Sequence, residues 1–577
     1  MDNTNALLTI KDLNLIFRNE DRINHVLRGV DLDIKQGEIV GLVGESGSGK
    51  SVTGLALCGL LPKKSAQLGG SILFQQGEKE TELIGLAEKS YNNIRGRQIS
   101  MIFQEPMSSL NPVLTCGFQV DEMTRLHLKY SKVQAKARTL ELFHQVGIPN
   151  PERIYQSYPH QISGGQIQRV MIAMAISCNP KLLIADEPTT ALDVTIQKRI
   201  LDLLVNIKDK FGISILFISH DLGVIRGLTS RVNVMYRGKI VESGNTDSVL
   251  SHPEHLYTKG LIACKPPLAY RPDRLPVISD FVEIEWKENE YQFVPTDKAK
   301  TNRISEKPQN SNNDGNILLQ VDNLSVKYPV HKSFWGRTTS WLKAVDNISF
   351  DLKKGETLGI VGESGCGKST MGRTLVGLEI PASGKALFDG NNIFKRTKSE
   401  AKDAARQIQI IFQDPYSSLN PKMKIGDAII EPMMVHGLYR DKKGRREKML
   451  SLLDQVGLLP EHANRYPHEF SGGQRQRISI ARALGLEPQI LICDESVAAL
   501  DVSVQSQVLN LLKDLQKTLN LSMIFITHDM SVVNYIADRV CVMHKGRFVE
   551  TGTTSQVIHH PIELYTKDLI DAIPKWS

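Results

Sequence analysis

The residues best able to do chemistry in this chain come as one kit, present twice. Gly44-Glu45-Ser46-Gly47-Ser48-Gly49-Lys50-Ser51 returns as Gly362-Glu363-Ser364-Gly365-Cys366-Gly367-Lys368-Ser369. Both fit the pattern G-x-x-x-x-G-K-[ST]. Its glycines let successive backbone N–H groups curl around phosphate oxygens at a helix start, where the helix dipole also favours anions. Lys50 and Lys368 can neutralise β/γ-phosphate charge, and Ser51 and Ser369 are candidate Mg2+ ligands. Asp186-Glu187 and Asp494-Glu495 each close a wholly apolar run, Leu182 to Ala185 and Ile490 to Cys493. A metal-binding aspartate beside a water-polarising carboxylate belongs in that setting. Asp186 and Asp494 are the candidate metal holders, through water, and Glu187 and Glu495 the candidate bases. The chemistry predicted is hydrolysis of ATP, at two places in one chain.

The elements that must position these residues repeat with them. Ser471-Gly472-Gly473-Gln474, Glu495 and His528 each stand 308 residues after Ser163-Gly164-Gly165-Gln166, Glu187 and His220. A long repeat of fixed period means two copies of one module. The first covers residues 7–264, the second 317–571, and 265–316 joins them. Apolar runs such as Ile39 to Val43, Leu182 to Ala185 and Ile213 to Ile218 suit strands buried on both faces of a parallel sheet. Between Asn111 and Ile176 the pattern turns helical, which predicts an α/β core with an inserted helical subdomain. From Lys50 to Gln104 is 54 positions, but from Lys368 to Gln413 only 45. The extra residues are expected in a surface loop around Gln75 to Glu80.

The connector opens with Pro266-Pro267-Leu268 and Arg271-Pro272 and runs into the polar tract Thr296 to Asn316, expected to be disordered. Val282-Glu283-Ile284-Glu285-Trp286 has strand-like content, which by itself does not decide whether it lies on a module. At ~3.3 Å per residue the connector can stretch beyond ~100 Å, so its length does not fix how the modules meet.

Composition bounds the function classes. With 577 residues, 41% hydrophobic and 23% charged, this is an ordinary globular chain too long for one core. A net charge of +7 with no basic block or aromatic-interleaved stripe gives no case for nucleic-acid binding. The seven cysteines are scattered without a C-x-x-C, so neither a zinc site nor a disulfide framework is expected. No signal-peptide pattern opens the chain, and no apolar run reaches the ~18–20 residues of a spanning helix.

The Ser-Gly-Gly-Gln signature, the phosphate loop and the Asp-Glu strand end together resemble ATP-binding cassette ATPases, over nearly the whole of both modules. The resemblance implies an α/β fold of two tandem phosphate-loop (RecA-like) cassette domains. Each has a mainly parallel core sheet, an antiparallel β subdomain and an inserted α-helical subdomain. In that family the signature of one module caps the γ-phosphate of ATP held by the other. Carried over, one site pairs Gly44–Ser51, Gln104, Asp186, Glu187 and His220 with Ser471, Gly472, Gly473 and Gln474. The other pairs Gly362–Ser369, Gln413, Asp494, Glu495 and His528 with Ser163, Gly164, Gly165 and Gln166. The resemblance gives His220 and His528 a hydrogen bond to the γ-phosphate, and adds Gln104 and Gln413 to both the catalytic and the metal-holding groups. Asp193 and Asp501 match the loop that communicates between sites. Phe17 and Tyr328 are the candidates to stack on adenine. The copies differ in one loop, where Ser496-Val497-Ala498 stands for Pro188-Thr189-Thr190, making the second less stiff.

The form Phe-Gln-[Glu/Asp]-Pro-x-Ser-Ser-Leu-Asn-Pro, at Phe103 to Pro112 and Phe412 to Pro421, is similar to the ATPases of oligopeptide/dipeptide (and nickel) importers. So are the tails His252-Pro253-Glu254-His255-Leu256-Tyr257-Thr258 and His560-Pro561-Ile562-Glu563-Leu564-Tyr565-Thr566. That resemblance implies an energy-coupling ATPase with ATP and Mg2+ as cofactors, two transmembrane permease subunits and a substrate-binding protein as partners, and no nucleic acid. It implies a peripheral position on the cytoplasmic face of the inner membrane, with the functional pair of modules formed within one chain. Relatives with an iron–sulfur centre carry a cysteine cluster after the first tail; Cys264 alone stands here, so none is expected. The competing readings are a twin-cassette ATPase acting on ribosomes or nucleic acid, and a nucleotide-binding scaffold without turnover. The polar, proline-broken connector and the absence of zinc cysteines argue against the first, and Glu187 and Glu495 against the second.

Overall fold

The structure is a computed structural model; it describes residues 6–19, 22–189, 193–287, 290–296, 315–332, 338–395 and 397–573. In the first module the strands are β1 (Ala6–Asn19), β2 (Arg22–Lys35), β3 (Ile39–Val43), β4 (Ala66–Gln76), β5 (Lys79–Glu82), β6 (Ile99–Ile102), β7 (Leu182–Asp186), β8 (Ser214–Ser219), β9 (Arg231–Tyr236) and β10 (Lys239–Asn245). They form an antiparallel sheet β2-β1-β4-β5 and a second sheet β10-β9-β3-β8-β7-β6. The second sheet is parallel apart from the β9–β10 hairpin. Every residue of β3, β7 and β8 is buried, which is why their sequences do not alternate. Helices cover residues Cys116–His127, Lys132–Gln145, Pro151–Gln156 and Gly164–Ile176, forming the expected inserted subdomain.

After the connector strands β11 (Val282–Lys287) and β12 (Glu290–Pro295), the second module repeats the plan. Its strands are β13 (Ile317–Lys332), β14 (Thr338–Lys353), β15 (Thr357–Val361), β16 (Ser383–Phe388), β17 (Asn391–Asn392), β18 (Ile408–Ile411), β19 (Ile490–Asp494), β20 (Ser522–Thr527), β21 (Arg539–His544) and β22 (Arg547–Thr553). The sheets are β14-β13-β16-β17 and β18-β19-β20-β15-β21-β22. In both modules the acidic pair ends a strand (β7, β19) two places from the strand that feeds the phosphate loop (β3, β15), at the carboxyl edge where open α/β sheets bind ligands.

The extra residues of the first module fall partly at Gln75–Glu80, as an exposed hairpin tip where Gln75↔Glu80 and Gln76↔Lys79 continue beyond the pair that matches Phe388↔Asn391, and partly at the start of β4. They lengthen a sheet: β4 has 11 residues and pairs out to Phe17↔Ala66, whereas β16 has 6 and stops at Ser325↔Ser383. Continuous pairing with β1 satisfies the added backbone, which a loop would leave to water.

Much of the described part of the connector is built into the two modules. Its first part lies on the second module. Asn510 makes a two-way bond to Leu275, Nδ2 to O at 2.9 Å and N to Oδ1 at 3.0 Å. Asn534 Nδ2 donates to the carbonyls of Pro267, Leu268 and Tyr270 at 3.0–3.2 Å. Ser506 Oγ donates to Cys264 O at 2.7 Å, and Leu275 joins the second module's core. The chain then returns. The β11–β12 hairpin packs on the first module, with Tyr291 and Phe293 edge-on to Tyr236. Prolines explain the docking: with helix excluded, this stretch keeps free carbonyls for asparagine and lysine to bind. The polar tract expected to be disordered lies, from residue 297 to 314, outside the described residues.

Lys513 sits under this strap, its Nζ 3.1 Å from Asp273 O and 4.2 Å from the Tyr535 ring. Burial pushes its ammonium down to about 8, with Arg271 adding to the effect. Above that value the folded chain releases a proton that the unfolded chain still holds, so this residue's contribution to stability rises with pH until an ordinary lysine titrates. Lys513→Met removes that slope. Its melting temperature relative to the parent is expected to fall as pH goes from about 8 to about 10. A difference that stays constant would mean that the strap does not bury Lys513.

Candidate functional site

Each phosphate loop leaves a buried strand and enters a helix, Lys50–Leu57 or Lys368–Leu375. Gly44 has φ 153°, and a Cβ there would lie 2.1 Å from Met235 O; at Gly362 a Cβ would lie 2.1 Å from Met543 O. Only glycine fits where the loop passes this close to β9 or β21. The buried Lys50 Nζ donates to Gly44 O at 2.8 Å and Glu45 O at 2.9 Å, and Lys368 does the same to Gly362 and Glu363. Burial lowers the pKa of Lys50, with the charges of Glu187 and Asp501 opposing the shift. Cys366 is buried in the second loop, and burial raises its thiol pKa.

Ser51 Oγ donates to Asp186 Oδ1 at 3.0 Å and Ser369 Oγ to Asp494 Oδ1 at 2.7 Å. Burial pushes the Asp186 carboxyl up to about 6, the bond from Ser51 offsetting part of the rise, and Asp494 is raised for the same reason. Paired hard oxygens whose negative charge is costly in the protein alone fit a divalent cation.

Glu187 and Glu495 follow on the chain with φ near 45°, their amides bonded to Ile218 O and Ile526 O. The left-handed turn brings each carboxylate, 6% and 7% exposed, back over the sheet edge. Gln104 Nε2 donates to Glu187 at 2.9 Å and Gln413 Nε2 to Glu495 at 2.8 Å. His220 Nδ1 lies 3.2 Å from Glu187, His528 Nδ1 3.7 Å from Glu495, and Lys368 Nζ 3.8 Å from Glu495. Burial opposes charge on His220, but Glu187 overcomes it and raises the pKa. Burial likewise acts to raise Glu495; His528 and Lys368 outweigh it, and the carboxyl ends up lowered.

The modules meet at these groups. Glu45, Ser46, Gly47 and Ser48 line one cavity with Ser471, Gly472 and Gly473 of the second module. Ser46 Oγ donates to Asp501 Oδ1 at 3.0 Å, and the Ser503 hydroxyl bonds the Glu45 carboxylate. A central cavity holds both His220 and His528, with Ser364 of the second loop facing Thr189 and Val194. The expected loop residues Thr190, Ala191 and Leu192 lie outside the described residues.

Ser163 and Ser471 start the helices Gly164–Ile176 and Gly472–Leu484. Gln166 and Gln474 accept from their backbone N–H groups at 3.1 Å, so these glutamine side chains close capping boxes. The S-x-x-Q spacing was itself that signal. Phe17 packs half-buried on the core under the antiparallel sheet, and Tyr328 stands beside Thr370 and Glu379. Asp193 caps the helix Val194–Phe211 through Ile196 N at 2.9 Å. Sequence reasoning gave no role to Ser503, or to Lys265, whose Nζ reaches Asp221 Oδ1 at 2.8 Å next to His220. Their signals are long-range contacts that no local pattern announces.

Residues 27–190 and 345–498 match the family described as ABC transporter. Residues 241–287 and 549–577 match the oligopeptide/dipeptide transporter, C-terminal region. The chain belongs to the ATP-binding cassette transporter family. This cassette chain is similar to the glutathione import ATP-binding protein GsiA of Salmonella choleraesuis (strain SC-B67), 44% identical over 98% of this chain and 89% of that protein. The GsiA of Escherichia coli (strain K12) matches with the same identity and coverage. Among solved structures, cbiO1 from Clostridium perfringens, part of the ABC transporter complex cbiONQ, is 29% identical with a TM-score of 0.37, covering 42% of this chain and 91% of that one. The cassette chain is thus the energy-coupling ATPase subunit of an oligopeptide/dipeptide-type importer, working with membrane permease partners. The family matches and the likeness to GsiA set aside the ribosome or nucleic-acid reading. Among the described residues no helix is long and apolar enough to cross a membrane.

Proposed function

We propose that the two cassettes close on each other within one chain and hydrolyse ATP with Mg2+ at two composite sites. The transport they drive is import of short peptides of glutathione's kind. A substrate-binding protein delivers the cargo to two transmembrane permease subunits, and the chain sits peripherally on the cytoplasmic face of the inner membrane. The observation that carries this reading is the cavity shared by the first phosphate loop and Ser471-Gly472-Gly473 of the other module, bridged by Ser46 and Asp501.

In this reading Lys50 turns its ammonium to the β/γ-phosphates, and Ser51, Asp186 and Gln104 hold the metal; Lys368, Ser369, Asp494 and Gln413 do the same in the other half. Mg2+ supplies neutralisation of phosphate charge. Glu187 polarises the attacking water while Gln104 and His220 fix its carboxylate from two other loops; Glu495 keeps the glutamine bond, from Gln413, with His528 Nδ1 3.7 Å away. Ser471 Oγ already accepts from Gln474 N–H, which leaves its O–H to donate to a phosphate oxygen across the interface.

Ser471→Ala in a Lys368→Ala background, where turnover comes from the first pocket alone, tests the composite site. Losing one hydrogen bond to a charged oxygen, about 1.5–3 kcal/mol, is expected to slow hydrolysis by roughly 10- to 100-fold. Unchanged turnover would refute closure of one module over the other. Uptake of glutathione and of longer peptides by proteoliposomes carrying the permease partners tests the cargo.

A further inference from the structure

We propose that Tyr257 and Tyr565, from the two His-Pro tails, are positioning residues that hold each phosphate loop in the shape that accepts ATP. The proposal rests on the reading of these loops as ATP sites.

The tails are pinned to the sheets first. Glu242 on β10 accepts from Glu254 N and His255 N at 2.7 and 3.2 Å, and Glu550 on β22 accepts from Ile562 N and Glu563 N at 2.9 and 3.2 Å. Each tail then forms a short helix, Leu256–Ala263 or Leu564–Asp571, with the tyrosine in its first turn. Tyr257 is wholly buried, its ring 4.7 Å from that of Tyr236; Tyr565 stacks on His544 at 4.1 Å and 11°. Burial raises both phenols far from ionisation, so each hydroxyl stays a neutral donor and acceptor.

These hydroxyls reach one particular peptide unit. Glu45 N–H donates to Tyr257 Oη at 3.3 Å and Glu363 N–H to Tyr565 Oη at 3.1 Å. The carbonyl of the same unit, Gly44 O or Gly362 O, accepts from the loop lysine at 2.8 Å. The Gly44–Glu45 peptide is therefore clamped at both ends, by Lys50 from inside the loop and by Tyr257 from behind it. Next to a glycine, rotation of a peptide plane meets little steric resistance, so a hydrogen bond at each end is what fixes it. With this N–H committed to Tyr257, and Ser48 N–H bonded to Glu45 O at 3.1 Å, the remaining loop amides are the ones available to phosphate. Both copies build the clamp independently, from tails 308 residues apart. The tyrosines touch no phosphate position; they act through the backbone.

The test is equilibrium binding of ATP to Tyr257→Phe in the full chain carrying Lys368→Ala, so that the first pocket alone is read. Phenylalanine keeps the packing on Tyr236 and removes only the hydroxyl. Losing the bond from Glu45 N–H, together with the hydroxyl's own 3.4 Å bond to Glu45 Oε2, is expected to weaken binding, and raise KM for ATP, at least about five-fold, with kcat within two-fold and the melting temperature near the parent's. Unchanged affinity would overturn the proposal, as would equal loss of kcat and melting temperature with KM unmoved, the mark of a merely structural tyrosine. Tyr565→Phe in a Lys50→Ala background repeats the measurement should the first variant fold poorly. Lys50→Ala combined with Lys368→Ala must abolish binding; if it does not, the reading of the loops as ATP sites fails, whatever the tyrosines do.

Discussion

Glu187→Gln is expected to slow ATP hydrolysis at the first pocket by at least about 10²-fold while ATP binding persists. Removing a positioned general base typically costs 10²–10⁴-fold. A glutamine keeps the volume and can still bond Gln104, so the loss reads the carboxylate and not the fold. The matching Glu495→Gln is expected to remove the smaller share of the parent's turnover. Glu495 is less closely held: its histidine stands 3.7 Å away where His220 stands 3.2 Å from Glu187, and Lys368 Nζ lies 3.8 Å from it. The flanking loops differ in the same sense, Pro188 stiffening the first where Ser496 stands in the second. Single-turnover hydrolysis by the two variants decides it: equal residual rates would mean that this asymmetry has no catalytic consequence.

Gly44→Ala carries the second large effect, a loss of nucleotide from the first pocket by about 10²-fold or more. The added Cβ meets a backbone oxygen at 2.1 Å, Met235 O on β9, which has nowhere to move inside a sheet. The loop must shift instead, and each amide–phosphate bond lost from a charged oxygen costs roughly 1.5–3 kcal/mol, or ten-fold and upward in affinity. Titration with a fluorescent ATP analogue is expected to give one site per chain in place of two. Gly47→Ala is the control, because nothing lies within 4 Å of its Cβ and only the positive φ of 78° resists. If Gly47→Ala were as damaging as Gly44→Ala, steric contact with β9 would not be the cause.

Much of the candidate site is legible in the sequence for a physical reason. A phosphate loop is a contiguous backbone conformation, and its glycines, lysine and serine act within a few residues of one another. Asp186 with Glu187 can be read because two adjacent carboxylates closing a wholly apolar strand are costly to bury without a cation or a polar ligand to meet them. The parallel sheet shows in unbroken apolar runs, since strands covered on both faces lose the alternation of a half-exposed strand. The repeat of 308 residues gives each reading twice. Where local pattern fell short, a non-local partner was at work. The longer β4 extends along β1, and the connector lies down because Asn510 and Asn534, more than 230 residues away in sequence, offer side-chain amides to its carbonyls.

By itself the sequence determined the chemistry this protein carries, its duplication and the fold that presents it, because those depend on residue type, spacing and burial along short segments. Which individual side chains meet at long range was decided by tertiary packing alone. The Glu45–Ser503 contact joins residues 458 apart and the Glu45–Tyr257 contact residues 212 apart. No periodicity or motif records such pairs, since a hydrogen bond between distant segments depends on where the folded chain brings them to rest.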